Sequence, residues 1–364
     1  MKNTILACSV ITMALSSFDA SAWVTSKCLG RKLKWPNNTV RMRASGVSFA
    51  PGSWRDALTD AVGAWNKNPS KFQWNLTYGD SSVGSGNGQN EAWFTNSQGL
   101  LKGAPARALT KYTCINYLFG KTVKLKESDV IFDAGESYTT TKNKNYLWEY
   151  GGGGRSFRTT ALHELGHALG LKHENREYNI MGEDWTTVNV NYVTASAYPG
   201  EDAGDAAVYL YGTTSSNRQD VSVVHWKRTG AKGQYSDHSM TKLYNSSNAT
   251  LSNYSDSGER RYRLNPGQTI KAEFSFENNG KNTQNIQVAY YISTNELITT
   301  LDQKIGSSSM TLSRDGVFTY KKSLVIPGNM GDGKKYLGVI VDYKGNLSEV
   351  NESNNATYLP IEVL

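Results

Sequence analysis

Three hundred and sixty-four residues exceed the usual length of one compact domain, so two are expected, each large enough to bury its own core. With 38% hydrophobic and 11% aromatic residues and no uninterrupted apolar run near ~20 residues, the chain is neither a membrane-spanning bundle nor a disordered one. The 39 Lys and Arg exceed the 32 Asp and Glu by a net +7 that is spread thinly over both halves. That is a mildly basic solvated surface with no nucleic-acid patch, leaning at most toward acidic cell-surface polymers.

The first 22 residues read as a secretory signal: Lys2, an apolar stretch over 5–15, then Ala20-Ser21-Ala22 as a cleavage site before Trp23. The stretch is too short to span a bilayer as a helix, and a secreted, extracellular monomer is expected. Removal of the signal takes Cys8 away and leaves Cys28 and Cys114. In an oxidising compartment the pair reads as one disulfide tying the N-terminus to the first domain. The rival reading keeps Cys28 as a thiolate that caps a metal site.

Downstream, residues 39–43 alternate as a strand, and Trp54, Leu58, Ala61, Val62 and Trp65 recur at helical spacing. Residues 75–88, rich in Gly, Ser and Asn, read as a loop, and 92–94, 106–112 and 128–132 as short strands. Four glycines, 151–154, lead to Ser156, an N-cap for a helix over 157–169 that Gly170 ends. After a polar linker at about 213–219, helices give way to short alternating segments at 269–276, 286–292, 317–326 and 336–341, the pattern of a β-sandwich. Residues 236–257 read as a long loop or decorated hairpin.

The chemistry concentrates in His163-Glu164-Leu165-Gly166-His167-Ala168-Leu169-Gly170-Leu171-Lys172-His173. Four residues apart on a helix, His163 and His167 project from one face and can share one zinc ion. Glu164 follows His163, where it reaches a water on the metal without being a ligand, the placement of a general base. Position 173 cannot be reached by the same straight helix. Gly170 allows the positive φ that turns the chain and brings His173 back, giving three nitrogen ligands and an open position. His225 and His238, the remaining histidines, read as single core or surface residues.

This run is the extended zinc signature of the metzincin metallopeptidases, and the chain resembles that clan beyond it, over about 33–212. Met181, in Tyr178-Asn179-Ile180-Met181-Gly182, stands where the family places its Met-turn, a soft floor beneath the site. Within the clan the chain is most similar to the matrixin group. Ser128-Asp129-Val130-Ile131-Phe132 looks like the strand beside the zinc helix, 103–110 falls where such enzymes have a substrate-pairing edge strand, and 202–212 is similar to the closing helix. Glu183 stands two residues after Met181, where astacin-like and serralysin-like members have a zinc-binding tyrosine, and Cys28-Leu29-Gly30-Arg31 does not match the matrixin cysteine switch. The resemblance also raises structural calcium, for which Asp80, Asp129 or Asp133 offer oxygens without defining a site. The C-terminal part is similar to the bacterial cell-adhesion-related CARDB domain, an Ig-like sandwich, through 274–280, Tyr290-Tyr291-Ile292-Ser293 and 341–355.

The expected organisation is a signal over 1–22, an α+β metzincin catalytic domain over 23–212 built of a mixed twisted sheet plus zinc helix, and an all-β Ig-like sandwich over 213–364. The expected function is that of a secreted zinc endopeptidase with one catalytic Zn2+ and Glu164 as general base. It would hydrolyse extended protein or glycoprotein substrates outside the cell, with residues 183–198 walling a side-chain pocket. The alternatives are an adhesin on a zinc-stabilised scaffold, its sandwich holding a cell-surface polymer, and a zinc peptidase acting on cell-wall peptides.

Overall fold

The computed structural model describes residues 23–182, 188–232, 235–314 and 316–364. The expected signal segment and its cleavage site lie outside the described residues. The first half contains strands β1 (Lys27–Cys28), β2 (Arg31–Lys32), β3 (Thr39–Ser45), β4 (Gln73–Asp80), β5 (Glu91–Thr95), β6 (Ala106–Tyr117), β7 (Gly120–Asp133), β8 (Tyr138–Thr139), β9 (Arg155–Ser156), β10 (Val188–Asn191) and β11 (Thr194–Ala197). Its helices are α1 (Ser53–Asn66), α2 (Gln98–Leu101), α3 (Phe157–Leu169) and α4 (Glu201–Tyr211). Five strands form one sheet in the order β4-β3-β5-β7-β6, parallel except for β6, which runs antiparallel at the edge.

Helix α1 forms because Ala57, Leu58, Ala61, Val62 and Trp65 make one apolar stripe, all buried. Trp65 reaches α3 and donates from its indole to the Leu162 carbonyl at 2.7 Å. Helix α3 starts where the Ser156 hydroxyl accepts the Thr159 N–H, and it ends at Gly170, whose φ of 104° an L side chain rarely adopts. Nearly all of α3 is buried, between α1 and the sheet.

The described residues of the second half form twelve strands and one 3-10 turn (Glu352–Asn354): β12 (Val221–Val224), β13 (Trp226–Lys232), β14 (Tyr235–Met240), β15 (Leu243–Asn245), β16 (Asn253–Asp256), β17 (Glu259–Leu264), β18 (Thr269–Asn278), β19 (Gln284–Ser293), β20 (Gln303–Leu312), β21 (Val317–Val325), β22 (Gly333–Val341) and β23 (Ala356–Val363). A six-stranded sheet, β16-β17-β23-β22-β19-β20, and a four-stranded one built around β18 enclose a second apolar core that includes Phe274, Phe276, Tyr290 and Leu359. Residues 236–257, expected as a long loop or a decorated hairpin, supply β15, β16 and most of β14, with β14 and β16 each in an antiparallel pair, so the loop alternative is the one set aside.

The expectation of an α+β metzincin domain followed by a sandwich is corrected at the level of the chain. Strands hold 46% of the residues and helices 16%, so the molecule is mostly β. Among the described residues there are four α-helices, and α3 has only 13 residues. The physical reason lies partly in residues 106–133. The text suggested two short strands there, but the alternating Thr, Tyr, Val and Lys build strands of 12 and 14 residues that pair along their length.

A third apolar cluster joins the halves. Leu147, Tyr150, Tyr178, Val190 and Tyr198 pack against Val224, Trp226, Tyr291, Ile298 and Tyr358. Lys144, 2% exposed, is paired there with Glu259 and lies 3.6 Å from Glu296. The Asn189 amide donates to the carbonyls of Val223, Asn354 and Ala356. Residues 183–187 lie outside the described residues. Residues 188–198, expected to wall a substrate pocket, form the β10–β11 ribbon, whose Val188 and Val190 are buried in this seam.

Candidate metal centre

Helix α3 presents His163 and His167 on one face, and the turn at Gly170 returns the chain so that His173 meets them. One ring nitrogen from each of the three lies within 4.8 Å of the others. The Nε2 atoms of His163 and His173 are 3.2 Å apart. The opposite nitrogens are held by backbone: His163 Nδ1 donates to the Ile180 carbonyl at 2.6 Å and His167 Nδ1 to the Leu171 carbonyl at 3.0 Å. This second shell fixes the tautomer and aims both Nε2 lone pairs inward.

Burial holds all three imidazoles below their ordinary titration range, His173 at about 4, so they stand neutral. Three converging, neutral imidazoles with second-shell acceptors are the donor set of a zinc site. The residues present therefore fit zinc. Among the described residues this is the one cluster of three or more His, Cys, Asp or Glu able to share a metal ion.

Glu164 is buried beside the triad. Its carboxylate accepts the Ala108 N–H of edge strand β6, and burial pushes its carboxyl up to about 8 against the opposing pull of that bond and of the Arg107 charge. Met181 is 2% exposed and lies under α3. Its turn is pinned by Met181 N–H to Asn179 Oδ1, Ile180 N–H to the Pro199 carbonyl and Glu174 N–H to the Met181 carbonyl. The same turn thus supplies both the floor and the carbonyl that orients His163.

Two further residues matter that sequence reading did not single out. Gly166 has no room for a side chain: a Cβ there would stand 2.3 Å from Met181 Sδ and 2.9 Å from Trp65 Cζ2. Ala108 acts through its backbone and leaves no signature in the text. The glycine was legible in principle, as the one small residue between the two helical histidines.

The N-terminal segment walls the site. Thr25 bridges Leu171, Ser26 N–H donates to the Gly170 carbonyl and Lys172 N–H to the Val24 carbonyl. Cys28 is disulfide-bonded to Cys114 on β6 with Cα atoms 6.2 Å apart, so it has no thiolate to offer a metal. A cleft of about 440 Å³ lies between this segment, β6 and the triad, lined by Val24, Ser26, Thr110, Tyr112, His167 and His173. A second cavity of about 370 Å³, at the seam near Asp60, Lys142 and Arg158, contains none of the histidines.

Among the described residues Asp80, Asp129 and Asp133 do not form a group that could share a metal ion. Asp129 is buried near Glu127 and Glu91, and Asp133 accepts the Gly135 N–H. His225 is a core residue bonded to Thr357 and Tyr150, and the His238 ring lies beside Tyr178.

The family model for Matrixin, a group of M10 peptidases, matches residues 114–199, from within β6 to just before α4. That stretch is less than a quarter of the chain but contains the three histidines, Glu164 and Met181, and it supports a metallopeptidase. No curated protein matches the chain. Among solved structures, the crystal structure of the CARDB domain of PF1109 from Pyrococcus furiosus with di-metal ions is 14% identical, covers 40% of this chain and 89% of its own, and has a TM-score of 0.25. The solution structure of the same domain gives 17%, 28%, 85% and 0.23. A Niemann-Pick type C2 protein from the Japanese carpenter ant gives 11%, 30%, 85% and 0.21. Each likeness is too slight to bear on fold or function.

Proposed function

We propose that this chain is an exported zinc endopeptidase that cleaves extended polypeptides. The observation that carries the reading is the buried Glu164 carboxylate, held by the Ala108 N–H beside three converging histidines. His163, His167 and His173 would hold the zinc. When bound, the ion supplies the electrophile that polarises the scissile carbonyl and acidifies the attacking water.

The chain's own residues do the rest. Among the described residues β7 is the one strand paired with β6, so the other edge of β6 can pair with the backbone of an extended substrate. In its ionised form Glu164 takes the water's proton on a carboxylate oxygen and passes it to the departing amine. Burial around Glu164 excludes competing water, and the Ile180 and Leu171 carbonyls hold the imidazole orientations. The Cys28–Cys114 disulfide supports an oxidising, extracytoplasmic setting. An adhesin built on a zinc scaffold would need the histidines but would give Glu164 no role.

The test is cleavage of an unfolded protein by the purified chain, with and without a chelator, beside Glu164→Ala. Chelator-sensitive cleavage, with a loss of about 10³-fold or more in the variant at unchanged zinc content, is the expected result. Cleavage by Glu164→Ala at the wild-type rate would overturn it.

A further inference from the structure

The hairpin of β6 and β7 projects past the body of the sheet and ends in apolar residues without cover. Leu118 and Phe119, consecutive at its tip, are 89% and 96% exposed. Tyr112, Ile115 and Tyr117 on the same hairpin, and Leu29 in the β1–β2 turn beside it, are exposed as well. A cluster of large apolar side chains in one protrusion differs from singly scattered ones, which are ordinary on any surface.

The stem of this protrusion is basic. Residues 106–126 contain five Lys and Arg and no acid, and residues 23–55 contain no acid either. Lys121, Lys124 and Lys126 on β7, with Lys27 and Arg31 on the adjoining hairpin, are exposed. Glu127, the first acid past the tip, is buried and occupied by the Gly86 and Gly88 N–H groups. The two hairpins form one unit: the Cys28–Cys114 disulfide crosses between them, Arg31 Nη1 donates to the Lys121 carbonyl at 2.9 Å, and Lys121 Nζ to the Leu29 carbonyl at 3.1 Å.

We infer that this protrusion docks on an anionic lipid surface, Leu118 and Phe119 entering the apolar layer while the lysines and Arg31 meet the headgroups. Leu118 and Phe119 form the tip, Tyr117 and Lys121 follow at once, and Lys124 and Lys126 lie farther down the stem, so an apolar end borders on cations as the acyl layer of a membrane borders on its headgroups. A polyanion such as nucleic acid would match the stem but leave the aliphatic Leu118 and Ile115 unexplained. Tyr112 lines the cleft beside His173 and also belongs to the protrusion, so docking would fix the metal centre relative to the membrane. The inference does not depend on catalysis.

The experiment is sedimentation of the purified chain with vesicles of phosphatidylcholine alone and of phosphatidylcholine mixed equally with phosphatidylglycerol. The expected result is binding to the mixed vesicles, weakened by salt, and little to the neutral ones. Leu118→Ser/Phe119→Ser is expected to weaken binding by at least about tenfold, and Lys121→Glu/Lys124→Glu/Lys126→Glu to abolish it. All five side chains are exposed, and an unchanged melting curve shows that neither variant has lost its fold. Absence of a preference for the anionic vesicles overturns the inference, as does undiminished binding by the Ser variant. A wild-type dimer in solution that the Ser variant dissociates also overturns it, because the tip then serves a protein contact.

Discussion

At the scale of single residues, the centre depends on atoms that are small or belong to the backbone. Gly166 sits where α3 crosses Met181 and Trp65, and replacing it with Ala forces one of them to move. Trp65 is fully buried and tied to the Leu162 carbonyl, so the strain falls on Met181 and on the turn whose Ile180 carbonyl orients His163. Gly166→Ala is expected to cost about 1–3 kcal/mol of stability and to weaken zinc binding, checked by melting temperature and by metal competition with a chelating dye. The histidines, Glu164 and Gly170 were legible because helix periodicity and one helix-ending glycine dictate their arrangement. The Ala108 N–H and the Leu171 and Ile180 carbonyls were not, since every residue carries such groups and only the tertiary fold selects among them.

Among the elements, the N-terminal segment is the least self-sufficient. Strands β1 and β2 have two residues each, and their place depends on pairing at Leu171 and on the Cys28–Cys114 link. The link closes a loop with a sequence separation of 86, long enough that its loss is expected to cost about 4–5 kcal/mol in the chain-entropy treatment. Cys28→Ser/Cys114→Ser should melt several degrees lower than wild type, and reductant should lower the wild type to the same temperature and leave the variant unmoved. The α3 boundaries were readable from Ser156 and Gly170, which are local signals. The lengths of β6 and β7 and the strands within 236–257 were not, because pairing across the sheet extends strands past what their own text suggests.

For the whole molecule the seam decides behaviour. Glu277 from β18 is buried against Tyr198, whose hydroxyl donates to it at 3.3 Å, and burial pushes its carboxyl from an ordinary 4.5 up to about 8. Asp220 nearby is pushed up to about 7 by burial. Between those limits the folded protein keeps a proton that the unfolded chain has released. The stabilisation from that proton is therefore complete below about pH 4.5 and is lost as pH rises through about 8. Glu277→Gln should flatten this dependence, gaining about 2 kcal/mol at pH near 8.5 and little near pH 5, as read by thermal melts at both. The seam also makes the first half dependent on the second. Residues 23–212 alone would expose Leu147, Tyr150, Val188 and Val190 to water, and size-exclusion chromatography should find them aggregated. A soluble monomer with undiminished zinc affinity would show the seam to be dispensable. Composition forecast two cores but not the third, because apolar residues on short ribbons look the same in a sequence whether they face inward or toward a neighbour.

The long hairpin has one more consequence, a matter of distance. From Ala108, which holds Glu164, the strand runs to Phe119 over roughly 35 Å at ~3.3 Å per residue. With its tip seated in a bilayer as proposed, the ribbon would act as a ruler that sets the height of Glu164 and the three histidines above the membrane. Such an enzyme would choose among surface proteins by where along their stalks a flexible stretch occurs, and two substrates of identical local sequence would differ in rate through elevation alone.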